Sequence, residues 1–288
     1  MSGIIVGVDG SEGAKQALAW AAHEGQLHGW PVTAVMAWGW LAEHRAVVGD
    51  GFDPRFTERE AVAALDAYVT DALGPSPAVT VERRTVEDLA PRALLEASSD
   101  AHLLVVGTRG LGGFRGLLLG SVSNQCLHYA ACPTAVVGRD DEIGEPTGGR
   151  VVVGIDGSEA AGRALTWAVE EARLRQASLE VVHAWQMPGA SGYPLTGVSV
   201  DPSLFADAAR ATLDSAMHHI DETGLVQPVE SILRGGRAAS VILEAAKGAD
   251  LVVVGSRGLG ELSGPILGSV SHRVVHHASC PVVVIPAG

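Results

Sequence analysis

Cysteine is scarce. The 288 residues hold three, Cys126, Cys132 and Cys280, an odd number with no CxxC pair. That excludes a disulfide framework and fits a reducing compartment, so a cytoplasmic protein is expected. Basic charge is short as well. Twenty Lys and Arg face 33 Asp and Glu, for a net charge of -13. This excludes a nucleic-acid backbone or an anionic membrane as the main partner. A small phosphorylated ligand is not excluded, because backbone N–H groups need no basic patch. No apolar run approaches the ~18 residues of a membrane span. The first six residues, Met-Ser-Gly-Ile-Ile-Val, carry no basic stretch and run directly into a strand pattern, so no signal peptide is expected. No nucleophile–base pair and no carboxylate pair stands at a suggestive spacing, so no catalytic residue is assigned.

Glycine is abundant, at 36 of 288 residues, against a usual share of about 7%. Its placement is periodic. Gly107-Thr108-Arg109-Gly110 is followed after nine residues by Gly120-Ser121. The same device returns 148 positions later as Gly255-Ser256-Arg257-Gly258, nine residues, Gly268-Ser269. Each copy follows a short apolar run (103–106, 251–254) that reads as a buried strand, and each precedes a helix pattern. A strand, a glycine-rich loop and a helix N-terminus make an anion site. Glycines admit a phosphate close to the backbone, and the first helical turn points N–H groups at it. Ser121 and Ser269 fall at the expected N-cap, where each hydroxyl either caps the helix or bonds a phosphate oxygen. A single glycine loop would read equally well as a turn. Here residues 103–137 and 251–285 share 19 of 35 aligned positions, including the three spaced glycines and the serine. That favours a duplicated site over a duplicated turn.

The rest of the chain repeats with it. Residues 4–8 read as a strand ended by Asp9-Gly10-Ser11-Glu12, and 151–155 with Asp156-Gly157-Ser158-Glu159 restate it at an offset of 147. Helices are expected at 14–28 and 160–176, second strands at 32–37 and 179–184, and longer connections at 38–56, a candidate lid, and at 186–202. Thr57-Glu58-Arg59-Glu60 has capping-box spacing and opens a helix to about Leu73; its counterpart spans 203–223. Third strands are expected at 79–85 and 229–233, third helices near 91–98 and 237–247, and fifth strands at 134–137 and 282–285. A polar, glycine-bearing stretch at 141–149 reads as a linker between domains 1–140 and 150–288. Each half is thus βαβαβαβαβ: a doubly wound, Rossmann-like α/β domain with a five-stranded parallel sheet, order 3-2-1-4-5. That order sets strands 1 and 4 side by side at the switch point, so Asp9 meets the Gly107 loop and Asp156 the Gly255 loop.

The pattern G-x2-G-x9-G-[ST], met in full in both halves, together with the strand-end aspartates and the later Cys-Pro pairs, resembles the universal stress protein family in its tandem, two-domain form. The resemblance covers essentially the whole chain. It implies the ATP-binding branch of that family. The loop glycines Gly107, Gly110, Gly120, Gly255, Gly258 and Gly268, with Ser121 and Ser269, would cradle phosphates. Asp9 and Asp156 would lie at the nucleoside, and the backbone at Ala37 and Ala184 would meet the adenine. Magnesium would arrive on the ATP phosphates, with no protein-held metal. The resemblance also implies pairing through fifth strands, either between the two halves or in a homodimer, and an unidentified protein partner. The activity implied is nucleotide-dependent regulation of a stress or growth-arrest response. The alternatives are a slow ATPase or phosphotransferase, a site for AMP or a cyclic nucleotide, and a nucleotide-free scaffold.

Individual residues have plainer readings beside these. Asp9 and Asp156 are either turn residues or contacts to a ribose hydroxyl or magnesium. Arg109 and Arg257 meet either phosphate or solvent. Arg115 in the first loop and Glu261 in the second predict tighter nucleotide binding in the first half. His272, His276 and His277, like His218 and His219, read as helix-surface residues rather than zinc ligands. Cys132 and Cys280 read as buried small residues without redox chemistry. Trp20 and Trp167 read as core, and Trp38, Trp40 and Trp185 as borders of a nucleotide base.

Overall fold

A computed structural model describes residues 3–38, 57–110, 119–138, 149–187, 201–259 and 267–287. The chain divides into two compact units, Met1–Ile143 and Gly144–Ala287. Most of the two long connections, most of the linker, Trp40, Arg115 and Glu261 lie outside the described residues.

Unit 1 runs β1(Ile4–Gly7), α1(Glu12–His28), β2(Val32–Trp38), α2(Glu58–Leu73), β3(Val81–Glu87), α3(Ala90–Ala97), β4(Leu103–Gly107), α4(Ser121–Tyr129) and β5(Thr134–Val137). Unit 2 runs β6(Arg150–Ile155), α5(Glu159–Arg175), β7(Ser178–Trp185), α6(Pro202–His218), β8(Glu230–Gly235), α7(Ala238–Ala245), β9(Leu251–Gly255), α8(Ser269–His277) and β10(Val282–Ile285). Within unit 1 the strands lie β3-β2-β1-β4-β5, and within unit 2 β8-β7-β6-β9-β10, with every pair parallel. α1 packs on β1 and β4 and touches α2, while α3 packs with α4. Each unit is therefore a doubly wound, Rossmann-like domain.

Central strands form because they can be buried on both faces. β4 and β9 are buried along their whole length, as an uninterrupted apolar parallel strand must be. Leu18 of α1 and Leu104 of β4 are both fully buried, each contributing roughly 1.5–3 kcal/mol. Helix packing depends on missing side chains as well. A Cβ on Gly7 would stand 2.8 Å from Leu94 of α3, and one on Gly154 would stand 2.5 Å from Ile242 of α7. Those glycines let the helices close on the sheet.

Several expectations shift. β3 and β8 begin later than the sequence suggested, at Val81 and Glu230, and run further. As edge strands they carry exposed charge, such as Glu82 and Arg83, and lack an alternating apolar signal. α6 stops at His218, five residues before its expected end. Trp20 and Trp167 are half-buried rather than core. The capping box at Thr57 forms: the Thr57 backbone N–H donates to Glu60 Oε2 at 2.7 Å, and the Glu60 amide donates to Thr57 Oγ1 at 3.4 Å.

All three cysteines are free and buried. Burial pushes the Cys126 and Cys280 thiols up to about 12 and raises Cys132 as well. Thiolate is the reactive form. The folded protein is therefore expected to leave a chromogenic disulfide reagent unreacted at pH 8, with three thiols appearing only on unfolding. Rapid labelling of the native chain would contradict this.

Candidate functional site

The site of each unit stands at the carboxyl ends of its two central strands, β1 and β4 in unit 1, β6 and β9 in unit 2. Parallel pairing of β1 with β4 brings the Asp9 turn and the Gly107 loop to the same edge, and β6 with β9 does the same for Asp156 and Gly255.

The aspartate turn is built first. The Ser11 backbone N–H donates to Asp9 Oδ1 at 3.0 Å, and the Ser158 N–H to Asp156 Oδ1 at 3.0 Å. Gly10 and Gly157 adopt φ of 87° and 85°, which a side chain would resist. The chain then enters its helix under a serine cap. Ser11 Oγ accepts from the Ala14 N–H and Ser158 Oγ from the Ala161 N–H, each at 3.2 Å. The same hydroxyls reach across to donate to the carbonyls of Arg109 and Arg257, each at 3.4 Å. One serine thus caps the helix and steadies the loop.

The loop is held against the aspartate. Asp156 Oδ2 accepts the Leu259 N–H at 3.1 Å. A Cβ on Gly110 would lie 2.1 Å from Asp9 Oδ2, and one on Gly258 would lie 2.2 Å from Asp156 Oδ2. Only glycine fits there with the carboxylate in place. In unit 2 the carboxylate is thus both a turn residue and a tie to the loop. Each of its oxygens has further lone pairs for a ligand hydroxyl.

The far end of the loop is pinned too. The Gly120 N–H donates to the Thr108 carbonyl at 2.7 Å, and the Gly268 N–H to the Ser256 carbonyl at 2.7 Å. The loop therefore closes on itself where the next helix starts. Ser121 and Ser269 are not N-caps. Gly120 and Gly268 are the caps, with no side-chain cap bond, and the serines are the first helical residues, both exposed. The amides of Ser121, Val122 and Ser123 have no intrahelical acceptor, and among the described residues no side-chain cap satisfies them. Thr108 Oγ1, buried nearby in the sequence of the loop, also has no hydrogen-bond partner among the described residues.

Two serines escaped sequence reasoning. Ser123 Oγ donates to the Gly107 carbonyl at 2.6 Å, and Ser271 Oγ to the Gly255 carbonyl at 2.5 Å, both buried. Each fixes the start of its helix to the end of its strand. The repeated Ser-Val-Ser at 121–123 and 269–271 was the available signal. His183 was also missed: it is buried, with Nδ1 2.8 Å from the Ile155 carbonyl, directly before Asp156.

The structure thus brings together Asp9, Gly107, Arg109, Gly110 and Gly120, and in unit 2 Asp156, Gly255, Arg257, Gly258 and Gly268. Arg109 and Arg257 are half-buried, and their carbonyls serve the loop. Ala37 and Ala184 lie on the neighbouring strands, β2 and β7, paired in register with Val86 and Arg234. Trp38 and Trp185 follow them directly, both half-buried.

Fold and site together define a duplicated, Rossmann-like α/β chain with a glycine loop and an uncapped helix end at each switch point. The chain belongs to the universal stress protein family, whose model matches residues 1–138 and again 149–286. It is 36% identical over 290 residues to a universal stress protein of Mycolicibacterium smegmatis, covering 98% of this chain and 96% of that one. A universal stress protein of Mycobacterium tuberculosis is 32% identical over 301 residues, covering 98% and 95%. Among solved structures, a universal stress protein from Archaeoglobus fulgidus superposes with a TM-score of 0.65 at 21% identity, over 99% of this chain and 98% of that one, a likeness of fold.

Proposed function

We propose that each unit binds one adenine nucleotide, ATP with magnesium carried on its phosphates, and that the chain acts as a nucleotide-dependent regulator of a stress or growth-arrest response. The observation that carries this reading is the glycine held against the aspartate, Gly110 on Asp9 and Gly258 on Asp156, beside an uncapped helix N-terminus, built twice.

The division of labour follows from charge. A triphosphate goes to the amides of Ser121 to Ser123, or Ser269 to Ser271, where the helix dipole is positive. The aspartate would repel phosphate, so it takes the ribose hydroxyls. Adenine is left to the strand ends at Ala37 and Ala184, where strand-end backbone can read its edge and Trp38 or Trp185 can border the ring. A nucleotide that spans aspartate, loop and helix end favours the conformation in which all three are ordered, and a partner that reads this surface responds to a population shift.

Heat denaturation of freshly purified protein, with mass spectrometry of what is released, tests the reading. About two ATP per chain is expected, one for each helix-end anion site. Released ADP would point to slow hydrolysis. No released nucleotide, together with no ATP binding on titration, would overturn the proposal and leave a scaffold.

A further inference from the structure

The two units differ in the space between their first and second helices. In unit 1 this space is filled from within. Tyr68 of α2 reaches α1 and donates its hydroxyl to the Ser11 carbonyl at 2.6 Å. That carbonyl also accepts the Lys15 N–H at 3.1 Å. Lys15 then bridges to Asp71 at 2.5 Å, closing the helix pair from outside. Burial and the charges of Asp9, Glu12 and Asp71 raise the Tyr68 pKa, so the phenol stays a donor.

Unit 2 has the same frame without the filling. Buried Ala61 and Leu65 of α2 correspond to buried Ala209 and Leu213 of α6, an offset of 148. The offset places Ala216 where Tyr68 stands and His219 where Asp71 stands. On α5, the offset of 147 places Gly162 where Lys15 stands. A Cβ on Gly162 would meet nothing within 4 Å. The result is a groove of about 760 Å³ between Ser158, Gly162 and Leu165 on one side and Thr212, Ala216 and Ile220 on the other. That volume is within the range of small-molecule sites. Its far end is closed by Arg173, whose Nε donates to the Thr223 carbonyl at 2.8 Å and whose guanidinium also holds Glu170 and the Asp221 carbonyl. At the near end, among the described residues, the Ser158 carbonyl accepts only the Gly162 N–H, at 3.0 Å. A carbonyl oxygen has two lone pairs. The counterpart of the one that Tyr68 uses in unit 1 has no donor among the described residues of unit 2.

We propose that the α5–α6 groove is a binding site for a hydroxylated aromatic small molecule. A phenol would donate to the Ser158 carbonyl, as Tyr68 does to Ser11, and its apolar body would lie along Leu165, Val169 and Ile220. Unit 1 supplies the template for the ring and its hydroxyl, and the size of the groove admits a substituent beyond them. The groove lies outside the glycine loop and the helix end at Ser269 and meets the candidate nucleotide site only at the Gly157-Ser158 turn.

The test is an amide NMR titration of the full chain with 4-ethylphenol and with its methyl ether, which has the same body and no donor. Saturable shifts are expected at Gly162, Thr212 and Ala216, with the phenol bound about tenfold more tightly than the ether, the size of one net hydrogen bond. Ala216→Tyr restores the unit 1 arrangement and is expected to abolish the saturable shifts. Gly162→Met fills the groove from α5, at a position with open space for its side chain, and is expected to do the same. No saturable shift in the parent chain, equal affinity for phenol and ether, or unchanged binding in a folded filled variant would each overturn the proposal.

Discussion

Gly110→Ala and Gly258→Ala are each expected to cost the affected half about a hundredfold in ATP affinity, while changing folding stability by less than about 1 kcal/mol. The new Cβ would stand 2.1 Å from Asp9 Oδ2 or 2.2 Å from Asp156 Oδ2. Such a contact cannot persist. The atom it meets is the end of a side chain, so the carboxylate can swing away at little cost to the fold. The site does not survive that movement. In unit 2, Asp156 gives up the Leu259 N–H, and with it the tie between turn and loop. The ribose contact and the phosphate loop then lose their common register. Preorganisation of this kind is worth far more to binding than to folding. Calorimetric titration of each single variant reads the surviving half, and urea unfolding reads stability. The Gly258 variant is expected to keep the tighter of the two sites, from the charge difference between Arg115 and Glu261. Affinity unchanged in both variants would sink the assignment of these glycines. Affinity and stability falling in parallel would make them packing residues only.

What could be read without coordinates follows a physical line. The central strands and the glycine loops announce themselves locally, because a strand buried on both faces must be apolar throughout and a close turn must contain glycine. Asp9 and Gly110 are far apart in sequence, yet doubly wound topology alone brings them together. The failures are of another kind. Ser121 is a good N-cap by type, and Gly120 took the cap because its amide turns back to Thr108. Ser123 looks like an ordinary polar residue in a helix until the helix is placed over the Gly107 carbonyl. The charged edge strand β3 has no apolar alternation from which to read its start. The contrast between Tyr68 and Ala216 is visible only once α2 and α6 are aligned by their buried faces. Local chemistry is written in neighbouring residues, and contacts between elements are not.

Gly107 provides the sharpest contrast between the halves. A Cβ there would stand 2.7 Å from the Gly13 carbonyl oxygen and 2.8 Å from the Gly13 carbonyl carbon. Both are backbone atoms, so no rotamer change relieves the clash, and α1 as a whole must move away from β4. It cannot move freely. A Cβ on Gly13 would itself stand 2.8 Å from the Arg109 carbonyl, so helix and loop already approach as closely as backbones allow. Gly107→Ala is therefore expected to destabilise unit 1 by about 3 kcal/mol, at the upper end for overpacking. In unit 2 the partner position is Ala160, whose methyl already holds the helix further off. The nearest atoms to a Cβ on Gly255 are the Ala160 carbonyl carbon and Cβ, both at 3.0 Å. A shift of a few tenths of an ångström suffices there, and Gly255→Ala is expected to cost about 1 kcal/mol. Urea unfolding gives the totals. Native-state hydrogen exchange assigns them, with protection lost in β1 and β4 for the first variant and in β6 and β9 for the second. Equal costs in the two halves would show that the glycine pair at Gly13 and Gly107 does not set the closer approach of helix to strand in unit 1.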